Sequence, residues 1–396
     1  SERVTMPWFL PLCQRGLART AALTRPVSRA EPHANAEGGR AVLKECDRQR
    51  VATVVFPELG LTGYTLDDLR FQDVVLDGAR TALEWLARQT ADLMSVAVVG
   101  LPLCRGELLY NCAAVIHRGR ILGVVPKSYL PRYREFYEPR QFTSGLGTSG
   151  LVRIGSAEVP FGADLLFEAH DLPGLTLGVE ICEDLWVANP PSGMLAQAGA
   201  SVVLNPSASP VTIGRTDDRS LLCQAQSMRT LTAYAYAAAG EGESTTDLAW
   251  DGQVSIHENG RLLAQSDRFP QGERLVVADV DLDLLRQERL RTGQFGVGRD
   301  RFRTIGFALS APLEDLGLKR DVARFPFVPS DPKTLARDCY EAWTIQVSAL
   351  RQRLQASGAQ RAVIGVSGGL DSTLALLVAV RAADELGRPR THVLAY

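Results

Sequence analysis

Short apolar segments recur along the chain, and helical or polar segments separate them. Residues 51–59, VATVVFPEL, and residues 95–103, SVAVVGLPL, have the length and apolar character of buried strands. The sequences RGR at 118–120 and NG at 259–260 each lie between two such segments, as hairpin turns do. Hairpins combined with helix-separated strands favour an α/β fold, in which a sheet of mixed strand direction has helices on its faces.

Two further strands are predicted at 176–182 and 200–209, and helices at 77–91 and 221–233. With 396 residues, the chain is long enough for two domains, or for one large domain and part of another.

The composition changes near residue 312. The segment 312–335 contains four prolines and is predicted to be a linker. A helix ending at Gly358 follows, then a strand, a glycine-rich loop, a helix, and a second strand in HVLAY. We therefore expect an irregular N-terminal extension over 1–18, a first domain over 19–311, the linker, and over 336–396 the start of a truncated domain. So few elements cannot bury a core alone, and we expect residues after about 360 to be poorly packed or to lean on the first domain.

Composition restricts the partners and the compartment. The formal net charge is −2 and no block of Lys or Arg occurs, which argues against nucleic-acid binding. No apolar run approaches the roughly 20 residues of a membrane span. The seven cysteines are scattered without a C-x-x-C pair, and no histidine has the spacing of a metal ligand. These features favour a cytoplasmic protein with reduced thiols.

Three residues with useful side chains follow apolar segments: Glu58, Lys127 and Cys182. Sites in α/β sheets lie at the carboxyl ends of strands, so these residues are candidates for one site. A thiol that attacks an amide needs a base and a group that stabilises the oxyanion. Each residue also has an ordinary alternative role. Glu58 could be a loop carboxylate, Lys127 a solvated cation at a strand end, and Cys182 a small buried apolar side chain. Because Glu180 and Glu183 flank Cys182, we expect Lys127 to be the cation that favours its thiolate.

The segments around these residues, VFPELGLTGY, VPKSYLPRYREFYE and GVEICEDLW, resemble the three signature segments of the carbon–nitrogen hydrolase (nitrilase) superfamily over roughly residues 19–310. The resemblance implies a nitrilase-like α-β-β-α sandwich, with Glu58 as general base, Lys127 stabilising the oxyanion and Cys182 forming an acyl-enzyme. A second glutamate often stands eight positions after the lysine in this superfamily. Glu135 occupies that position, with Glu138 as a rival.

Residues 364–373, IGVSGGLDST, form a glycine-rich turn between a strand and a helix, an arrangement suited to binding phosphate. The turn lacks the lysine of the G-x-x-x-x-G-K-[ST] loop. It resembles the pyrophosphate loop of N-type ATP pyrophosphatases, which implies the first βα unit of a Rossmann-like domain that binds ATP and Mg²⁺. The implied ATP-binding residues are Gly365, Val366, Ser367, Gly368, Gly369, Leu370, Asp371 and Ser372, with Asp371 near the metal.

A nitrilase-like domain followed by this loop resembles the glutamine-dependent NAD⁺ synthetase family. The resemblance implies homo-oligomers that hydrolyse glutamine and use the ammonia, with ATP, to amidate deamido-NAD⁺. It also implies that Tyr133, Ser209 and Arg215 bind glutamine, since a guanidinium pairs well with a carboxylate. A core tyrosine, a turn serine and a surface arginine are the alternatives for these three residues.

Two other functions remain open. One is a free-standing nitrilase-family amidase, against which the SGGLDS sequence argues. The other is an inactive fragment that acts only as an assembly module, against which the intact Glu58, Lys127 and Cys182 argue.

Overall fold

The computed structural model describes residues 12–314 and 316–396. The chain divides into two compact units, the first reaching to Asp321 and the second beginning at Val322. Of the expected extension over 1–18, residues 1–11 lie outside the described part. Leu12–Arg15 forms a 3₁₀ turn, and the first strand begins at Leu17, within the expected extension.

The elements of the described residues have the following bounds. The strands are β1 (Leu17–Thr24), β2 (Thr53–Val55), β3 (Val96–Arg105), β4 (Leu108–His117), β5 (Arg120–Pro126), β6 (Ser149–Ile154), β7 (Ala157–Gly162), β8 (Leu165–Ala169), β9 (Thr176–Val179), β10 (Val202–Ser207), β11 (Ala233–Ala238), β12 (Val254–Glu258), β13 (Arg261–Gln265), β14 (Arg274–Asp281), β15 (Arg303–Phe307), β16 (Ala362–Ile364) and β17 (Val393–Ala395). The helices are α1 (Pro32–Arg48), α2 (Asp73–Gln89), α3 (Pro191–Gln197), α4 (Arg215–Thr230), α5 (Leu282–Thr292), α6 (Pro332–Ser357) and α7 (Leu370–Glu385).

The first unit contains two mixed sheets. One has eight strands in the order β14-β1-β2-β3-β4-β5-β7-β6, and the other has seven in the order β13-β12-β11-β10-β9-β8-β15. Strands β1, β2 and β3 are parallel to one another, as are β9, β10 and β11. Both predicted hairpins are confirmed: Arg118-Gly119 joins β4 to β5, and Asn259-Gly260 joins β12 to β13. All four of these turn residues have positive φ, which the twist of a tight hairpin requires.

Alternating side chains place this unit in four layers. Ala22 of β1 and Val98 of β3 face the core between the sheets, together with Leu177 and Leu204 of the second sheet. Their neighbours Ala21 and Val99 belong to a second core, which Leu43 of α1 and Leu83 of α2 complete. On the second sheet, Tyr234 packs with Cys223 of α4, and Leu166 packs with Leu195 of α3. The predicted α-β-β-α sandwich is therefore confirmed.

The second unit begins in the expected linker segment. Helix α6 starts at Pro332, three residues before the predicted end of the linker, because the Asp331 side chain accepts the Thr334 N–H as an N-cap. It ends as predicted before Gly358, whose φ of +69° suits a glycine C-cap. Strands β16 and β17 are parallel, with α7 between them in sequence.

The core of the second unit is small. Val347, Val378 and Ala382 form a buried cluster where α6 meets α7. Leu370 at the start of α7 is 90% exposed, and Val363 of β16 is 67% exposed. None of the helices in the described residues is long and apolar enough to cross a membrane.

Candidate active site

The three predicted catalytic residues meet where strands of both sheets end. Glu58 follows β2, Lys127 follows β5, and Cys182 follows β9. The Lys127 Nζ lies 2.7 Å from Glu58 Oε1, and both side chains are fully buried. Glu58 and Lys127 both affect the ionisation of the Cys182 thiol, which is also buried. The structure thus brings together residues that are 69 and 55 positions apart in the sequence.

Glu58 is held by three hydrogen bonds. Its Oε1 accepts from Lys127 Nζ and from Asn111 Nδ2 of β4, each at 2.7 Å. Its Oε2 accepts the Ala208 N–H at 2.7 Å, just beyond β10. Gly100 of β3 permits this close approach, because a Cβ there would lie 2.3 Å from the Leu59 nitrogen. The carboxylate is therefore fixed between the two sheets before any substrate binds.

Lys127 bridges two carboxylates, and the second belongs to Glu138. Its Nζ donates to Glu138 Oε1 at 2.7 Å, and the Tyr64 hydroxyl donates to the same oxygen at 2.7 Å. Burial alone would lower the pKa of Lys127, but the charges of Glu138 and Glu58 outweigh burial and raise it well above its usual value. The ammonium therefore stays protonated throughout the neutral range.

The prediction that Glu135 accompanies Lys127 is wrong in position. Within the described residues, no hydrogen bond or ion pair joins the two. The loop after Lys127 turns back on itself, with the Glu138 N–H donating to Pro131 O, and a 3₁₀ turn begins at Glu138. This geometry buries Glu138 and leaves Glu135 half-buried on the wall of a small cavity that both residues line. Spacing in sequence selected the wrong glutamate because the loop has no regular periodicity.

Cys182 stands at a sharp, strained turn. Its φ of +46° lies in the left-handed region, which costs a residue other than glycine about 1–3 kcal/mol. The Cys182 N–H donates to Asn205 Oδ1 at 3.0 Å, and a 3₁₀ turn runs from Cys182 to Leu185. The buried Asp184 accepts the N–H of Ile181 at 2.9 Å and the N–H of Tyr129 at 2.8 Å. Asp184 thereby links the turn at Cys182 to the loop that follows Lys127.

The Cys182 thiol is protonated at rest. Burial, followed by the charge of Glu58, raises its pKa well above the ordinary value, and Lys127 opposes that rise without reversing it. Lys127 favours the thiolate in direction, as expected, because its charge lowers the pKa of Cys182, but burial and the charge of Glu58 outweigh it. Burial is the main reason, and Lys127 compensates only in part because it also pairs with Glu58 and Glu138. A reaction in which this thiol acted as a nucleophile would therefore need a base.

The three residues predicted to bind glutamine lie around this centre. The Tyr133 hydroxyl donates to Glu183 Oε1 at 3.1 Å and to Oε2 at 3.0 Å. The Arg215 guanidinium, at the start of α4, stacks 3.4 Å from the centroid of the Trp186 ring. Burial and Glu183 raise the pKa of Tyr133, and the positive charge of Arg215 partly opposes that rise. Ser209 is buried next to Ala208, whose N–H holds Glu58.

Sequence reasoning gave no role to two residues of this site. Glu138 was only a rival to Glu135, and Glu183 was noted only as an acidic neighbour of the nucleophile. Position next to Cys182 was the signal that could have identified Glu183. No comparable signal marks Glu138, because its burial depends on the path of the loop.

The predicted ATP loop joins β16 to α7 and is solvent-exposed. Gly368 has φ of +88° and open space where a Cβ would be. The Ser367 and Ser372 hydroxyl oxygens are 3.3 Å apart across the loop. The N-terminus of the 16-residue helix α7 faces this turn, which is the arrangement that favours phosphate groups. Within residues 12–314 and 316–396, no cluster of three or more His, Cys, Asp or Glu side chains could hold a metal ion.

Two protein-family models match the chain. The carbon–nitrogen hydrolase model matches residues 19–289, and the NAD synthase model matches residues 342–395. The first match contains Glu58, Lys127 and Cys182, and the second contains the glycine-rich loop.

Two curated relatives are described as glutamine-dependent NAD(+) synthetases. The chain is 56% identical, over 98% of its length, to a glutamine-dependent NAD(+) synthetase of Mycobacterium tuberculosis, and 54% identical, over 96% of its length, to one of Mycobacterium leprae. It spans 58% and 57% of the length of these relatives.

Solved structures share the fold. A glutamine-dependent NAD(+) synthetase from Cytophaga hutchinsonii aligns with a TM-score of 0.60 at 22% identity, over 95% of this chain and 53% of that one. An amidase from Nesterenkonia sp. AN1 aligns with a TM-score of 0.54 at 21% identity, over 72% of this chain and 98% of that one. In that amidase, a mutant shows covalent addition of the acetamide moiety of fluoroacetamide at the active-site cysteine.

Proposed function

Because the chain belongs to the carbon–nitrogen hydrolase family, we propose that its first unit hydrolyses the side-chain amide of glutamine through Cys182. The ammonia would serve the ATP-dependent amidation of deamido-NAD⁺, to which the second unit contributes its glycine-rich loop. The observation that supports the hydrolytic half best is the buried Glu58–Lys127–Glu138 group beside a strained cysteine. The 56% identity to a glutamine-dependent NAD(+) synthetase supports the choice of substrates.

The proposed reaction has two halves. Glu58 takes the thiol proton as Cys182 Sγ attacks the amide carbon, and the Lys127 ammonium stabilises the oxyanion. Glu58 returns the proton to the departing nitrogen, the carbon–nitrogen bond breaks, and ammonia leaves a glutamyl thioester. Water then attacks the thioester as Glu58 accepts its proton, and Cys182 regains a proton as glutamate leaves. The raised pKa of Cys182 makes the base indispensable in the first step.

The residues around the centre supply the selectivity for glutamine. We propose that the Arg215 guanidinium pairs with the substrate α-carboxylate, since a planar fork of donors matches a carboxylate in two hydrogen bonds. Stacking on Trp186 holds the guanidinium in place. Tyr133 and Ser209 would orient the rest of the amino acid.

The glycine-rich loop would bind ATP. Residues 365–372 surround the N-terminus of α7, whose unpaired N–H groups suit phosphate oxygens. Asp371, in the first turn of α7, would bind Mg²⁺ together with phosphate oxygens, because it has no cluster of acidic neighbours among the described residues. The metal would neutralise phosphate charge as the carboxylate of deamido-NAD⁺ is adenylated and ammonia displaces AMP.

We also propose that the protein works in the cytoplasm and that it assembles as a homo-oligomer. Cell fractionation and light scattering of the purified protein test them. A monomer at working concentrations would contradict the second statement.

The decisive experiment measures ammonia release from glutamine by the chain, by Cys182→Ala, and by Cys104→Ala as a control at an exposed thiol. We expect Cys182→Ala to abolish release and Cys104→Ala to leave it unchanged. Faster hydrolysis of simple amides such as propionamide than of glutamine would contradict glutamine as the substrate. Release that survives in Cys182→Ala would contradict the proposed nucleophile.

A further inference from the structure

Two buried side chains behind the turn at Cys182, Glu180 and Tyr234, have no role in the reaction described above. We propose that they are positioning residues, which act through Asn205 to hold the Cys182 backbone in the strained conformation that presents its sulfur to the substrate. The inference rests on the proposed hydrolytic function, to which it adds residues that support the nucleophile from behind.

A chain of hydrogen bonds, the relay of Glu180, Tyr234 and Asn205, leads to the backbone of Cys182. The Tyr234 hydroxyl donates to Glu180 Oε1 at 2.5 Å. Asn205 Nδ2 donates to the same hydroxyl at 2.8 Å, and Asn205 Oδ1 accepts the Cys182 N–H at 3.0 Å. All three side chains of the relay are buried, so bulk water does not compete for these bonds.

The pleat of the second sheet brings the relay together. Leu204 of β10 faces the core between the sheets, so Asn205 faces the opposite side, which α3 and α4 cover. Tyr234 of β11 lies on that same side, where it packs with Cys223 of α4. The Glu180 N–H donates to Leu204 O at 3.3 Å, which places Glu180 beside Asn205.

The carboxylate sets the direction of each bond in the relay. An ionised carboxylate only accepts, so the single hydroxyl hydrogen of Tyr234 points to Glu180. The hydroxyl oxygen then accepts from Asn205, which turns the Nδ2 group of that amide toward Tyr234. Oδ1 is left to accept the Cys182 N–H. If the amide rotated by half a turn, its NH₂ group would face the Cys182 N–H, and this bond would be lost.

The bond to Asn205 matters because the Cys182 backbone is strained. A φ of +46° is unfavourable for a residue other than glycine, and it persists only where the surroundings enforce it. A fixed acceptor for the Cys182 N–H opposes rotation of this residue toward negative φ. Such a rotation would move the Sγ relative to Glu58, the proposed base.

Glu180 also has a structural task, because its Oε2 accepts the Ser192 N–H at 2.7 Å in the first turn of α3. Burial raises the pKa of Glu180, and the hydrogen bonds from Tyr234 and Ser192 oppose that rise. A substitution of Glu180 would therefore disturb α3 as well as the relay. Tyr234→Phe removes one hydroxyl from the relay and leaves the bond to Ser192 in place, so this variant separates the two tasks.

The test is a double-mutant cycle with Tyr234→Phe, Asn205→Ala and the double variant. We expect Tyr234→Phe to lower kcat for ammonia release from glutamine about 3- to 10-fold, as for one lost hydrogen bond, and to change KM by less than about twofold. Asn205→Ala should lower kcat further. Adding Tyr234→Phe to Asn205→Ala should have no additional effect, because the tyrosine acts through the amide. Tyr110→Phe, in a buried tyrosine of the first sheet, is the matched control and should leave kcat unchanged.

A second measurement needs no turnover: the rate at which fluoroacetamide alkylates Cys182, followed by peptide mass spectrometry. This rate should fall in Tyr234→Phe by a factor similar to that for kcat, and it should stay at the wild-type value in Tyr110→Phe. It decides the question even if Asn205→Ala does not fold. A wild-type rate in Tyr234→Phe would overturn the inference. So would effects on kcat that multiply in the double variant, since they would show that Tyr234 acts independently of Asn205.

The two proposals fail in different ways. If the wild type releases no ammonia from glutamine and fluoroacetamide still alkylates Cys182, the substrate assignment fails, and the alkylation rates still test the relay. If the wild type hydrolyses glutamine and Tyr234→Phe equals it in both measurements, the relay fails and the glutaminase function stands.

Discussion

Replacing Lys127 with methionine tests the buried charge group at the centre of the site. In the wild type, the Lys127 Nζ lies 2.7 Å from a carboxylate oxygen of both Glu58 and Glu138. The substitution keeps a similar side-chain volume and leaves the two carboxylates without this cation. Removing one partner of a buried ion pair costs about 3–5 kcal/mol, because the remaining charge is uncompensated. At about 2–4 °C per kcal/mol, the melting temperature of the first unit should fall by about 6–20 °C at pH 8.

The sign of the pH dependence follows from Glu138. Burial already raises the pKa of Glu138, and Lys127 opposes that rise. Without Lys127 the pKa rises further above its unfolded value, so the folded variant binds a proton more readily than the unfolded chain does. Its stability should therefore increase as pH falls through the folded pKa, and the defect should shrink between pH 8 and pH 5.

Differential scanning calorimetry at the two pH values measures both quantities. Lys44→Met, at an exposed position of α1, is the matched control and should change the melting temperature by less than about 2 °C. The reasoning is refuted if Lys127→Met is as stable as the control at pH 8. It is equally refuted if the defect has the same size at pH 5.

Two further predictions concern the nucleophile turn. The pKa of Cys182 is raised well above its ordinary value, chiefly by burial, so the rate at which fluoroacetamide alkylates this thiol should rise continuously from pH 6 to pH 9. A plateau below pH 8 would contradict this prediction, because it would show a stabilised thiolate. Burial also raises the pKa of Asp184 to about 7, above its unfolded value, so the native chain retains a proton there that the unfolded chain has lost. As the pH rises from 5 to 8, the free energy of unfolding should therefore fall more for the wild type than for Asp184→Asn. Urea unfolding at both pH values measures this difference, and an equal fall in the two proteins would contradict it. Because Asp184 accepts the N–H of Ile181 and of Tyr129, the same variant should also release ammonia more slowly than the wild type.

The outcome at Glu135 and Glu138 shows a limit of motif spacing. Both residues follow Lys127 in a loop without helical or strand periodicity, so their distance in sequence does not set their distance from the Nζ. The hydrogen bond from the Glu138 N–H to Pro131 O closes the loop and turns Glu138 inward. The resemblance to a family indicated that a second glutamate belongs near the lysine, and only the closed loop decided which one.

The sequence by itself predicted the buried strands and three candidate catalytic residues that follow them. Short apolar segments predicted buried strands, and the positions of Glu58, Lys127 and Cys182 after such segments placed all three at strand ends. These are local properties, because a strand has a fixed side-chain period.

The tertiary structure decided the charges that each of these residues meets. Burial and Glu58 raise the pKa of Cys182 more than Lys127 lowers it, so the thiol remains protonated although Lys127 acts in the expected direction. Both oxygens of the Glu183 carboxylate accept the Tyr133 hydroxyl, which follows Lys127 in a different loop. Ionisation depends on burial and on distances of a few ångströms between distant segments, and no local pattern in a sequence contains those distances.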